Sequence, residues 1–127
     1  MTTVVDPTHL TPSLQAALRR AVAAERDASG SQRRVAFRNT RVLLGALQAG
    51  GFDLHHMAEV IGVTVENVRA RAQRGGVLSA ASAAHLTGLD GAELAELVSR
   101  RSADATLGTA YSADDVVAVL RERDAGA

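Results

Sequence analysis

Three arginines, Arg69, Arg71 and Arg74, close the stretch LHHMAEVIGVTVENVRARAQR (Leu54–Arg74), and no acid follows Glu66 to neutralise them locally. A guanidinium is a permanently charged, planar fork of donors that fits a phosphate oxygen or a guanine edge. The chemistry on offer is therefore polyanion binding. At about 100° per residue, a helix over Val65–Arg74 turns Val68 and Ala72 inward. Glu66, Asn67, Ala70, Gln73 and Arg74 then face outward, with Arg69 and Arg71 on the flanks. Asn67, Gln73 and Arg74 are placed to hydrogen-bond base edges, and the flanking arginines to reach phosphates. Ala70, with its short side chain, permits close approach, and Glu66 suits the positive end of the helix.

A second cationic set precedes this one. Arg34, Arg38 and Arg41 fall at i, i+4 and i+7 and form one stripe, with Arg33 beside it. The stripe has two readings, accessory phosphate contact or pairing with acids later in the chain. No constellation for catalysis accompanies it: there is no Gly-rich phosphate loop, nucleophile elbow or recognisable carboxylate pair. Cysteine is absent, which excludes disulfides and thiolate metal sites. His55 and His56 read as surface histidines, and His9 and His85 are far apart in sequence. Neither a metal, a cofactor nor enzymatic activity is expected.

The elements that must position these residues are helices. Thr11-Pro12 pairs an N-cap with a proline at the first helical position. Leu14, Leu18 and Val22 then recur every four residues, predicting an amphipathic helix from Thr11 to Ala28, with residues 1–10 as a loose arm. A second helix is expected over Gln32–Ala49, burying Val35, Val42, Leu43, Ala46 and Leu47 and stopping at Gly50-Gly51. Asp53 can cap a third helix, Leu54–Ile61, and Thr64 a fourth, Val65–Arg74, closed by Gly75-Gly76. Ala58, Gly62, Val63 and Val68 fall where a helix-turn-helix needs a small residue, a tight turn and two buried apolar contacts. Further helices are expected over Ser79–Thr87, from Asp90 (with Glu93 completing a capping box) to Arg101, and from Ser112 (with Asp115) to Arg123. Residues 102–111 read as a loop or a small β wing. Ala58, Gly62, Val63 and Val68 are echoed at Ala84, Gly88, Leu89 and Leu94, as two tandem helix-turn-helix units would require.

Composition agrees with an all-α, compact multi-helix domain. The chain has 127 residues, 46% of them hydrophobic but only two Phe, one Tyr and no Trp, so Ala, Leu and Val must do the packing. Net charge is zero, yet it is unevenly spread. Residues 31–76 hold seven Arg against Asp53, Glu59 and Glu66, a net +4, and residues 77–127 hold four Arg against eight acids, a net −4. A middle segment of this sign suits a phosphate backbone. Apolar runs are too short for a membrane span, and MTTVVDPTHL lacks the features of a secretory signal, so a cytoplasmic setting is expected.

Two family resemblances emerge. GVTVENVRARAQR resembles the recognition segment of sigma-factor region 4 and related response-regulator helix-turn-helix domains through Ala58, Gly62, Val63, Val68, Arg71 and Arg74. Asn67 stands where Thr or Ser is usual, and Ala72 where a larger apolar residue is usual. VLSAASAAHLTGL and AYSADDVVAVLRER resemble the winged-helix head of MerR-type regulators and excisionases, with Ser112, Asp115, Val116 and Leu120 matching its last element. That resemblance implies DNA recognition by the helix carrying Glu93 and Glu96, whose charge opposes phosphate contact. The expectation is a transcriptional regulator of bacterial, phage or plasmid type that binds double-stranded DNA through Thr64, Asn67, Arg69, Arg71, Gln73 and Arg74. Arg33, Arg34, Arg38 and Arg41 assist, and residues 77–127 supply a homodimer or partner contact. The alternative is a sigma-like protein-interaction module that binds polymerase or another regulator without touching DNA.

Overall fold

In a computed structural model of the chain, residues 7–101 and 110–126 are described. They form α1 (Pro12–Asp27), α2 (Gly30–Ala49), α3 (Leu54–Ile61), α4 (Val65–Arg71), β1 (Val77–Ser79), α5 (Ala80–Thr87), α6 (Gly91–Arg101), β2 (Ala110–Ser112) and α7 (Ala113–Ala125). The protein is all-α apart from one antiparallel ribbon, in which Leu78 faces Tyr111 across the two short strands. Of the segment 102–111 expected to be a loop or wing, Ala110 and Tyr111 belong to the ribbon, and residues 102–109 lie outside the described part. No described helix is long and apolar enough to cross a membrane.

The long helices α1 and α2 pack together at the centre. Leu14 and Leu18 from α1 and Leu43, Leu44 and Leu47 from α2 are fully buried, and one core cluster runs from Leu10 to Leu120. Residues 11–76 and 77–127 therefore contribute to the same interior rather than to separate ones. The α3–α4 pair lies on one side of this core and the α5–α6 pair on another, each with an inward anchor, Val68 and Leu94.

The two pairs turn in the same way. Gly62 (φ 70°, ψ 38°) and Gly88 (φ 70°, ψ 10°) end α3 and α5 in the left-handed region, where a side chain is disfavoured. The spacing echo in the sequence therefore has a physical basis. Val63, however, is 37% exposed and is not the buried contact its position suggested, because only Val68 reaches the core.

Three other expectations change. Residues 7–10 are docked rather than loose: Leu10 is buried, Asp53 N donates to Thr8 O (2.8 Å), and Leu10 N donates to His56 Nδ1 (2.8 Å). Val35 is 54% exposed, since α2 buries its C-terminal half and leaves residues 30–35 outside the core. Thr11 occupies the N-cap of α1 without capping it by a side-chain bond. Asp124, from the end of α7, does that work in trans by accepting from Ser13 N (3.0 Å) and from the Ser13 hydroxyl.

Burial works to raise the Asp124 pKa, but the Ser13 hydroxyl, the nearby Thr11 hydroxyl, the Ser13 amide and the Arg123 charge together outweigh it and hold the carboxyl below its ordinary value. A carboxylate with a depressed folded-state pKa stabilises the fold above its unfolded pKa. That contribution is lost as pH falls through the folded value. Asp124→Asn is expected to cost about 1 kcal/mol at neutral pH. In urea melts at descending pH, the difference from the parent should vanish below the ordinary carboxylate range. A deficit of constant size would show that the charge is irrelevant.

Candidate nucleic-acid interface

The α3–α4 pair is assembled by local chemistry. Asp53 Oδ1 accepts from His55 N (3.1 Å) at the start of α3, and Thr64 Oγ1 accepts from Asn67 N (3.1 Å) at the start of α4. Thr64 thus fixes the first turn of α4, and its own side chain is committed to that cap. Met57, Ala58 and Val68 are buried, and Val65 packs half-buried against them. Glu66, Asn67, Arg69 and Ala70 are left exposed on the outer face.

The end of α4 departs from expectation. The helix stops at Arg71, and Ala72 is extended (φ −61°, ψ 125°). Its cause is the docking of the chain on α2, where Gln73 N donates to Arg41 O (3.0 Å) instead of continuing the helical ladder. Gly45 makes this approach feasible, since a Cβ there would overlap the Gln73 carbonyl. Gln73 and Arg74 are exposed but follow α4 rather than extending it, so they do not share a helical face with Asn67.

Arg71 also departs. Its guanidinium turns inward, where Nη2 pairs with Glu25 of α1 and the group lies 4.3 Å from the centroid of the Phe37 ring. Both partners are largely covered, with side chains 17% and 12% exposed. Thr40, itself fully buried, donates to the other Glu25 oxygen (3.1 Å). Arg71 is therefore a fastener between α1, α2 and α4 and not a solvent-facing cation. The acid that neutralises it lies 46 residues earlier in the chain.

The remaining cations of the middle segment behave differently. Among the described residues, Arg33, Arg34, Arg38, Arg69 and Arg74 have no hydrogen-bond or ion-pair partner, and Arg41 makes only a long contact (3.4 Å) to the Arg71 carbonyl. Arginines elsewhere are engaged. Arg100 pairs with Glu96, Arg101 with Asp115 and Glu122, and Arg123 with Glu93 (2.9 Å). Arg20 bonds the Leu86 carbonyl (3.0 Å), and Arg121 bonds the Gly50 carbonyl (3.2 Å) and covers the Phe52 ring. Among the described residues, Glu93, Glu96, Asp115 and Glu122 are thus occupied by arginines of the same third and Asp124 by Ser13, and the α2 stripe has no acidic partner.

Gly30, Arg33, Arg34, Phe37, Arg38 and Arg41 line one open face of α2. This face meets α4 at its C-terminal end, through Phe37 against Arg71 and Arg41 against Gln73. The structure thus brings the α2 stripe to the end of α4 and next to Arg74. On the opposite pair, α6 presents Glu93 and Glu96, already tied to Arg123 and Arg100. Asp90 and Glu93 are therefore not the reciprocal capping box the sequence suggests.

Three participants escape a reading of the sequence: Glu25, Phe37 and His56. An aromatic three residues after Arg34 and four before Arg41 is visible as a break in a cationic face. Glu25 offers no such signal. His56 stacks on His9 at 4.4 Å, a contact between segments far apart in the chain. Among the described residues, no group of His, Asp or Glu is arranged to hold a metal ion. Comparison of the chain with known protein families, curated proteins and solved structures gives no match.

Proposed function

We propose that the protein is a sequence-specific DNA-binding regulator that lays α4 in the major groove of double-stranded DNA. The observation that carries this reading is the distribution of unpartnered arginines. Five of the chain's cations lack a partner among the described residues, and all five lie between Arg33 and Arg74. Several guanidinium groups gathered on one surface without protein partners create a positive field that favours a polyanion.

On this reading Asn67 and Arg69 read base edges or the adjacent phosphates from α4, and Arg74 reaches the backbone just beyond it. Arg33, Arg34, Arg38 and Arg41 grip phosphates from α2. Thr64 and Arg71 contribute by building the helix end and anchoring it, and Gln73 is an edge contact. The tandem order of β1, α5, α6, β2 and α7 is in keeping with the MerR-type resemblance, but the paired acids on α6 make that unit a support rather than a reader. The alternative, a protein-interaction module, would rest on an acidic docking face, and Glu93, Glu96, Asp115 and Glu122 of that face are already taken up by arginines of the same segment.

Binding to a random-sequence duplex pool, measured across a salt series, tests the reading. The wild type is expected to bind with steep salt dependence, and the Arg69→Ala/Arg74→Ala variant to lose about one unit of log–log salt slope per arginine. Arg71 is left intact in this variant, so that a folding defect does not imitate a lost contact. Wild-type protein that binds no duplex at low salt would sink the proposal.

A further inference from the structure

Resting on the DNA-binding reading, we infer that Phe37 of α2 is itself a DNA contact. It makes an apolar approach to base or sugar edges of the duplex, inside a frame of arginine–phosphate contacts.

Phe37 is 48% exposed, although aromatic side chains are scarce in this chain and only two are Phe. A single exposed apolar residue needs no explanation by itself. Here three further observations do. Its neighbours on the open face are Arg33, Arg34, Arg38 and Arg41, so a partner that covers the ring also meets their positive charge, which favours an anion. Those arginines have no acidic partner among the described residues. The ring is also braced, with the Arg71 guanidinium 4.3 Å from its centroid and that guanidinium fixed by Glu25. A braced ring gives up little conformational freedom on binding, as a preorganised contact requires.

The occupant that satisfies both charge and apolarity is nucleic acid. Its phosphates meet the guanidinium groups while base and sugar edges offer apolar surface between them. Proteins that insert an apolar side chain at a base step beside arginine contacts use this combination to deform and grip a duplex. Residues 30–35 of α2 extend outside the core, so the fold does not require their surface for its own packing. The consequence is a second contact element beside α4 on the same duplex, carried by one chain.

The test separates apolar from ionic contact. In salt-series titrations of the duplex pool, Phe37→Ala is expected to weaken binding about tenfold with an unchanged salt slope. Arg34→Ala/Arg38→Ala is expected to lower the slope by about two. A benzophenone analogue of phenylalanine at position 37, which keeps the ring, is expected to photo-cross-link to DNA, whereas the same analogue at Ala92 on α6 is not. Affinity lost without a cross-link would make Phe37 a brace for Arg71 and overturn the inference. So would wild-type affinity in Phe37→Ala, while loss of binding in Arg69→Ala/Arg74→Ala would leave the α4 reading standing. A cross-link at 37 with normal binding and base preference in Arg69→Ala/Arg74→Ala would uphold Phe37 and overturn α4 as the reader. Absence of DNA binding by the wild type would overturn both.

Discussion

Gly45→Ala is expected to destabilise the protein by about 3 kcal/mol, at the upper end of what one added methyl costs in a packed interior. In an exposed helix the same change would help, since Ala is favoured over Gly by about 1 kcal/mol. The sign reverses here because the new Cβ meets backbone, overlapping the Gln73 carbonyl and lying 2.7 Å from Arg74 N. Backbone cannot step aside by changing rotamer, so α2 and the strand-like exit from α4 must separate. The Gln73 N to Arg41 O bond (3.0 Å) goes with them. A fall of roughly 10 °C in the midpoint of a thermal melt is the expected reading. Gly76→Ala supplies the contrast. Its Cβ would overlap the Val42 side chain, which can be shortened, so Gly76→Ala/Val42→Ala should recover part of the loss. For Gly45 no neighbouring truncation can do the same. A Gly45→Ala protein as stable as the parent would show that the α2–α4 junction is looser than this packing implies.

This junction also marks the boundary of what the sequence discloses. Helix positions follow from local signals, namely caps at Asp53 and Thr64, glycine stops at Gly62 and Gly88, and apolar spacing along α1. Each signal acts over a few residues, and the observed elements begin and end close to them. The C-terminus of α4 does not follow, because it is set by a hydrogen bond from Gln73 to a residue on α2. Periodicity carried the predicted helix on to Arg74, and nothing local contradicts it. The same distinction divides the arginines. Charge and spacing mark the middle segment as cationic, but whether a given guanidinium is free depends on partners distant in sequence. Arg71 finds Glu25, and Arg34 finds nothing among the described residues. His56 and Leu10 make the point again, since the docking of residues 7–10 rests on a tertiary hydrogen bond. Val35 errs in the other direction: its spacing belongs to an amphipathic face, but α2 extends beyond the core at that point.

Arg71→Ala is expected to cost about 3–4 kcal/mol, whereas Arg69→Ala, two residues away, should leave stability within about 0.5 kcal/mol of the parent. Removing Arg71 strands the Glu25 carboxylate, 12% exposed, with only the Thr40 hydroxyl for compensation. It also uncovers one face of Phe37. Glu25→Ala should cost a similar amount for the complementary reason, leaving a guanidinium covered and unpaired. The two changes share one interaction, so their effects should not add, and Glu25→Ala/Arg71→Ala should fall well short of the sum. The pair is not ideally satisfied either, because Arg71 Nε is buried without a partner. Replacement of both by apolar residues of similar volume, as in Glu25→Leu/Arg71→Met, should therefore restore most of the stability. Urea-unfolding free energies for the four proteins of the cycle decide the matter. Additive losses would mean that Glu25 and Arg71 act independently. Coupled losses would make Arg71 the fastener that ties α4 to α1 and α2, and leave the exposed arginines around it as the ones available to an anion.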